Sequence, residues 1–373
     1  MNENNYKTIL FLATPAIGDC LLATCITHSL RKAYPDAKID VLVPDSRGEL
    51  VFSKNEDIND VIVMGLKPTL KQYLTFIRKY WRSYDLVVND RSSDRSAIYA
   101  FITGKKRIGV IDSRHSSAKF KKILFSNYII ESDDIEHRLM RNLRILDPLG
   151  IKKYPVVIVP EDKQTNLQKE FNIPTKYIVL HSPSSNEIKQ WPVSHWAELT
   201  KQLLDKGYFL AITGGKTETE KEIVEAIINE QQQNNVINLS GKISFAQLST
   251  LIKNSQGFIG PDCGPAHLAS SVNIPIFTIF GPTPVSMWSP WPYKKEQEKS
   301  GFIAKIPTTT IDNITVFQSS RECVPCYGKR CTIKKTQYSP CLEDIKPMQV
   351  FNAVIDIIPL NPPIPPVTKA SQL

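Results

Sequence analysis

Two doubly wound α/β lobes are what this chain predicts, and three observations predict them. Short apolar runs rich in branched residues alternate with amphipathic helical patterns, the order that builds a parallel sheet covered on both faces. The alternation stops near residue 160 and starts afresh near residue 175. At 373 residues the chain also exceeds the roughly 250–300 residues at which a single hydrophobic core stops growing.

The first lobe opens on a β-turn-α unit. Residues 7–14 read as a buried strand, 15–18 as a turn and 19–33 as a helix. Strands follow at 39–43, 61–64, 86–89 and 107–110, with helices at 70–82 and 95–101 between them. A long helix over 134–149 stops at Gly150. This places one domain at residues 1–160 and a linker at 161–174. In the second domain, 175–358, strands fall at 177–181, 209–213, 236–239, 257–260 and 276–280, and helices at 195–206, 218–229, 245–253 and 264–271. The tail, 359–373, is proline-rich and then polar, a composition expected to be disordered. Ligands in such sheets bind at the carboxyl ends of the strands, so the expected site is a cleft between the lobes.

Composition excludes several classes. No apolar run reaches the roughly 18–20 residues that span a bilayer, and the polar start, Met1 to Lys7, lacks the basic region of a signal peptide. A cytoplasmic protein is expected. The net charge of +9 has a local source: residues 105–122 hold seven Lys or Arg against one acid, Asp112. Such a cluster steers an anionic partner or an acidic membrane surface, or it is a solvated face. No nucleic-acid motif accompanies it.

The densest chemistry lies at Gly260-Pro261-Asp262-Cys263-Gly264-Pro265-Ala266-His267, a strand end, a tight turn and a helix start. Gly264 permits close backbone approach, Pro265 suits a first helical turn, and the free N–H groups with the positive dipole end suit a diphosphate. Asp262 either accepts from ligand hydroxyls or caps the helix, and His267 either faces the same edge or fills the core. Lys189, after Ser184 and Ser185, can neutralise a departing phosphate. Gly18-Asp19 begins the first helix, where a carboxylate has an ordinary role against the dipole and becomes a general base if it faces a donor. There is no Asp-x-Asp, so a divalent metal chelated in that manner for a diphosphate is not expected.

The segments Ala16-Ile17-Gly18-Asp19-Cys20-Leu21, Lys189-Gln190-Trp191-Pro192 and Gly260 to His267 together resemble glycosyltransferase family 9, the ADP-heptose:lipopolysaccharide heptosyltransferases of bacterial inner-core synthesis. The likeness runs from Ile9 to about Ile358, including Cys341-Leu342-Glu343-Asp344-Ile345-Lys346-Pro347 before a final helix. It implies a GT-B type fold of two Rossmann-like domains facing each other across a cleft, with the first binding acceptor and the second binding nucleotide sugar. It implies metal-independent, inverting transfer in which Asp19 is the catalytic base and Lys189 meets the leaving ADP. Gly18, Ser184, Ser185, Asp262, Cys263, Gly264 and His267 are then the donor-binding set. Cys263 stands where Thr is common, and Glu218 resembles the family's nucleoside-binding acid. The expected partners are ADP-heptose and an anionic glycolipid acceptor met at the cytoplasmic face of the inner membrane; His137, Arg138 and Arg141 either suit such an acceptor or form a basic helix face. A nucleotide-sugar epimerase or hydrolase of the same architecture, a family 9 transferase with another sugar or acceptor, and a binder without catalysis are the alternatives.

Cys323, Cys326, Cys331 and Cys341 form a Cys-x2-Cys-x4-Cys-x9-Cys pattern that reads as a structural zinc or iron clip, or as four reduced thiols. No cofactor is expected for catalysis itself. Cys20, Cys25 and Cys263 read as isolated buried thiols.

Overall fold

The computed structural model describes residues 5–131, 136–231, 234–293, 295, 299–327, 331–333 and 337–360. The chain builds β1 (Thr8–Leu12), α1 (Ile17–Ala33), β2 (Lys38–Val43), α2 (Ser46–Phe52), β3 (Asp60–Val63), α3 (Leu70–Tyr80), β4 (Tyr84–Asn89), α4 (Asp94–Thr103), β5 (Gly104–Ile111), α5 (Ala118–Leu124), β6 (Asn127–Ile130) and α6 (Arg138–Leu143). It continues through α7 (Leu167–Glu170), β7 (Ile178–His181), α8 (Val193–Lys206), β8 (Leu210–Thr213), α9 (Glu218–Asn229), β9 (Val236–Asn238), α10 (Phe245–Lys253), β10 (Gly257–Pro261), α11 (Gly264–Ala269), β11 (Ile276–Phe280) and α12 (Val285–Trp288). The β12 (Thr308–Ile311) and β13 (Ile314–Gln318) strands follow, then α13 (Pro340–Glu343) and α14 (Pro347–Ile357).

Two sheets result. The first has the order β3-β2-β1-β4-β5-β6 and the second β12-β13-β11-β10-β7-β8-β9. Every pairing is parallel except β12 with β13. The central strands are apolar at successive positions because both faces are covered: Ile9, Leu10 and Phe11 are all wholly buried. Ile9, Phe11, Val41 and Val88 turn to the face that carries α1 and α2, while Leu10, Leu12, Leu42 and Val87 turn to the face that carries α3, α4 and α5.

The core on the α1 face does not end at the lobe boundary. It runs from Leu21, Leu22 and Cys25 through Ile145 and Val157 into Ala266, Leu268, Val285 and Trp291 of the second lobe. The stretch after Gly150 has no regular element before α7 but is tied down along α1 and α10. The N–H of Tyr154 donates to Ser29 Oγ at 3.0 Å and that of Ile158 to Thr24 Oγ1 at 2.9 Å, and Thr250 Oγ1 donates to the Asp162 carbonyl at 2.9 Å. Thr24 and Ser29 are wholly buried, and these bonds satisfy backbone that no ladder reaches.

Several expectations change. The helix expected over 134–149 is α6 followed by a 3-10 helix at Arg144–Leu149 that contains Pro148. A proline lacks the N–H for an α-helical bond and its ring clashes with the preceding turn. The first residues of that expected helix, 134 and 135, lie outside the described residues, as does the tail from 361. The elements α2, α5, β6, β12 and β13 were not expected at all. The last two form a hairpin at the edge of the second sheet, built from the run Thr308-Thr309-Thr310-Ile311, whose polar β-branched residues carry little apolar signal. No described helix is long and apolar enough to cross a membrane.

Gly109, in the middle of β5, has the Phe125 ring seated where a side chain would be. Gly109→Ala should lower stability by about 1–3 kcal/mol, the usual cost of overpacking, and Phe125→Leu should return part of that loss. Urea midpoints of the two single variants and the double variant check this.

Candidate active site

In both sheets the strand order reverses beside the lobe's first strand: β1 lies next to β4, and β7 next to β10. There the connections leave to opposite faces and open a crevice at the carboxyl ends of the strands. Asp19 follows β1 and Asp90 follows β4. Lys189 follows β7 through a short loop, and Asp262 follows β10 directly.

The α1 and α11 helices begin face to face. A Cβ on Gly264 would come 3.1 Å from Ile17 Cγ2, and one on Gly18 would come 3.4 Å from His267 Cδ2. The close approach of the two lobes thus uses both glycines. Neither start is capped by a side chain, because the N-cap residues are Ala16 and Cys263. By contrast, Thr69, Thr217 and Ser244 cap α3, α9 and α10. The first-turn N–H groups of α1 and α11 therefore have no capping acceptor, and two positive dipole ends converge.

On the first-lobe side, Arg138 of α6 lies between two carboxylates. Its Nε is 3.7 Å from Asp19 Oδ1 and its Nη2 is 3.7 Å from Asp90 Oδ2. These separations are too long for hydrogen bonds; Arg138 Nε and Asp90 Oδ2 are buried without a hydrogen-bond partner among the described residues. Burial pushes the Asp19 carboxyl above its ordinary value, against the pull of Arg138 and, from the other lobe, Lys189. Burial pushes Asp90 up to about 6, again opposed by Arg138. A cavity of about 310 Å³ opens here, lined by Thr14, Asp90, Arg91, Ser93, Glu131 and Arg138 among others.

On the second-lobe side, Lys189 Nζ is 2.6 Å from Asp262 Oδ2. The neighbouring Trp191 is wholly buried against Trp196, ring centroids 4.7 Å apart, and its Nε1 donates to the Ile345 carbonyl at 3.0 Å. Gln190 braces the loop by accepting from the Ser184 N–H at 2.9 Å and donating to the Ser182 carbonyl at 3.2 Å. Ser184 Oγ accepts from the Asn186 N–H at 3.4 Å, and Ser185 beside it is exposed. His267 is buried, and burial lowers its imidazole to about 4, so the ring is neutral, with Nδ1 unpartnered among the described residues. Burial holds the Cys263 thiol up at about 12, so it is not a thiolate.

One sequence expectation is corrected, at His137, and Glu218 and Arg141 take definite places. Glu218 points to solvent, its side chain 80% exposed and paired with Lys221 at 2.7 Å. The acid set against Gly215 is Glu220, which accepts from Thr217 Oγ1 at 2.8 Å. His137 is not part of a basic surface. It is buried between the lobes, accepts the Leu139 N–H at Nδ1 and donates from Nε2 to the Ser289 carbonyl at 2.8 Å, and burial lowers it to about 3. Arg141 pairs with Glu131 at 2.7 Å. The sequence reading missed Asp90 and the place of Arg138 between the carboxylates; Asn89-Asp90-Arg91 directly after a recognised strand was the available signal.

The four late cysteines line one small apolar cavity together with Ile188, Pro282 and Val324. Burial, with the other three thiols nearby, pushes Cys341 up to about 12. Among the described residues, no three His, Cys, Asp or Glu side chains are arranged to hold a metal ion. Cys20 and Cys25 are buried thiols that donate to the Thr14 and Leu22 carbonyls.

Asp90 carries a pH signature. Its folded value of about 6 stands above the ordinary 3.8, so the folded state holds the extra proton between those values and loses stability as pH rises through them. Relative to the wild type, Asp90→Asn should gain stability between pH 4 and 7, by up to about 3 kcal/mol. Urea unfolding of both proteins across that range measures the difference.

The family model described as glycosyltransferase family 9 (heptosyltransferase) matches residues 75–337. Lipopolysaccharide heptosyltransferase 3 of Escherichia coli is 28% identical over 306 residues, covering 78% of this chain and 88% of the relative. The glycosyl transferase family 9 protein of Veillonella parvula DSM 2008 superposes with a TM-score of 0.73 at 19% identity, covering 95% of this chain and 97% of that one. The E. coli ADP-heptose lps heptosyltransferase II gives 0.68 at 20% identity, covering 94% and 98%. Two facing doubly wound sheets, motifs in family order and a family match over most of the chain lead to one conclusion: the chain belongs to glycosyltransferase family 9 and is a glycosyltransferase of the GT-B fold.

Proposed function

We propose that the chain moves a heptose, with inversion, from ADP-heptose to a lipopolysaccharide core acceptor at the cytoplasmic face of the inner membrane. In this reading residues 1–160 bind the acceptor, 161–174 link the lobes, and 175–358 bind the donor. The observation that carries it is the facing of Asp19 in one lobe and Lys189 in the other across two uncapped helix starts. Relatives named for ADP-heptose and lipopolysaccharide support the substrates.

The acceptor occupies the first-lobe cavity with its hydroxyl against Asp19. Asp19 takes the hydroxyl proton as the oxygen attacks C1 of the sugar, and the bond from C1 to the diphosphate oxygen breaks. The negative charge that develops on ADP meets Lys189, the N–H groups at Gly264 and the positive end of α11. Burial raises the basicity of Asp19, and Arg138 and Lys189 oppose that rise. On the donor side, Asp262 and Nδ1 of His267 take ligand hydroxyls, Gly18 lies beside His267, and Ser184, Ser185 and Cys263 complete the donor-binding set; Glu218 and Glu220 are the candidates for the nucleoside.

Asp19→Asn should reduce transfer by about 10²–10⁴-fold, the usual worth of a general base, with ADP affinity nearly intact. Transfer from ADP-heptose to truncated lipopolysaccharide, followed by mass spectrometry and by the anomeric configuration of the product, tests the whole reading. Free ADP or an epimer accumulating without transfer contradicts it, as does undiminished turnover by Asp19→Asn.

For the cysteine loop we propose a structural zinc or iron, supported by the four thiols that line one cavity, which would draw together into ligating geometry on binding it. Metal analysis should find about one equivalent in the wild type and a loss of it in Cys326→Ser; metal-free, stable wild-type protein would leave the cysteines as reduced thiols.

A further inference from the structure

The α3, α4 and α5 helices pack side by side on the face of the first sheet away from α1 and the second lobe. Their inward residues, among them Phe76, Ala97, Ala100 and Leu124, fill a core with Leu10, Leu12 and Val87. The outward residues are the anomaly. Leu70 and Leu74, one turn apart on α3, are 74% and 48% exposed, Ile98 on α4 is 43% exposed, and Phe120 and Ile123 on α5 are 48% and 80% exposed. None of them belongs to that core, and so many large apolar side chains on one layer exceed the single exposed residues that any surface carries.

Basic residues are interleaved with them. From Leu66 to Arg82 there are five Lys or Arg residues and no acid. On α5 the solvent side reads Lys119-Phe120 and Lys122-Ile123, with Lys122 lying over the Tyr128 ring at 5.6 Å. Apolar side chains flanked by Lys on a helix surface are the pattern of a helix lying at the boundary of an anionic bilayer, with the chain ends in the acyl region and the ammonium groups among the phosphates. A protein partner would need a complementary acidic and apolar face, whereas an anionic lipid surface supplies both elements everywhere.

The layer is also coupled to the first-lobe cavity. Lys121, buried on the inner side of α5, donates to the Ser92 carbonyl and pairs with Asp94 at 3.1 Å, and Ser92 lines that cavity. At the same end, Arg95 Nη1 donates to the Leu66 carbonyl at 2.5 Å, tying α4 to the loop before α3. We infer that the outer surface of α3, α4 and α5 is a membrane-docking face that seats the first lobe on an anionic lipid bilayer with the cavity next to the headgroups. The inference deepens the proposed function, because it gives a route by which a glycolipid acceptor stays in its bilayer while its sugar reaches Asp19.

Flotation of the full-length protein with phosphatidylcholine vesicles, with and without phosphatidylglycerol, tests it. The wild type should float with phosphatidylglycerol and far less without it. Phe120→Glu with Ile123→Glu, and separately Leu70→Glu with Leu74→Glu, should each cut the bound fraction on the order of tenfold. Ile303→Glu, an equally exposed apolar site in the second lobe, should not. The variants should keep the wild-type circular dichroism and ADP affinity, which separates lost docking from lost folding. Wild-type protein that fails to float, or variants that float like it, would overturn the inference. So would a wild-type dimer that the variants split into monomers, which would make the face an interface between copies. Flotation needs no sugar transfer, so failure of the heptosyl reading leaves this result to stand or fall alone.

Discussion

The rest of the molecule depends on one close approach, the meeting of the starts of α1 and α11 across the lobe boundary. Two positive helix ends brought together repel, and the protein offsets this with a carboxylate at each: Asp19 in the first turn of α1, and Asp262 just before the N-cap of α11. Glycines at 18 and 264 let the backbones come near enough that a Cβ on Gly264 would press against an Ile17 methyl at 3.1 Å. A core that continues from α1 into α11 joins the two lobes behind this contact.

That geometry explains why the charges are arranged as they are. Each carboxylate in the crevice has a cation beside it, Arg138 for Asp19 and Asp90, Lys189 for Asp262. The pairs differ in closeness. Lys189 and Asp262 touch at 2.6 Å, whereas Arg138 stands 3.7 Å from both of its partners. Distance weakens the attraction, so burial wins at Asp90 and its carboxyl rises to about 6. The histidines near the boundary follow the same rule in the other direction: His137 and His267 are buried and held neutral, as hydrogen-bonding groups rather than charges.

The two faces of the first sheet have opposite duties. One carries α1 into the contact with the second lobe. The other carries α3, α4 and α5, whose inner sides fill a core while their outer sides expose Leu70, Leu74, Phe120 and Ile123 among lysines. Lys121 joins these duties, since its buried ammonium fixes α5 to the loop that lines the cavity.

By itself the sequence determined the two doubly wound lobes and the positions of Asp19, Lys189 and the Gly260 to His267 turn. Buried parallel strands and amphipathic helices leave a periodic apolar signal, and helix starts beside glycines leave a local one. Elements with weak signals stayed invisible: the Thr-rich hairpin of β12 and β13, the short strand β6, and the break of the expected long helix at Pro148. Tertiary structure alone decided which charges meet. Arg138 lies 119 positions from Asp19 and 48 from Asp90 in the chain, yet stands between them. Lys189 and Asp262 become neighbours only because β7 and β10 pair. The choice between Glu218 and Glu220 at the Gly215 turn, and the burial of His137 between the lobes, are likewise matters of which side of a helix faces inward. A side chain's chemistry is local, but its partners are set by how sheets and helices pack, and no spacing along the chain encodes that directly.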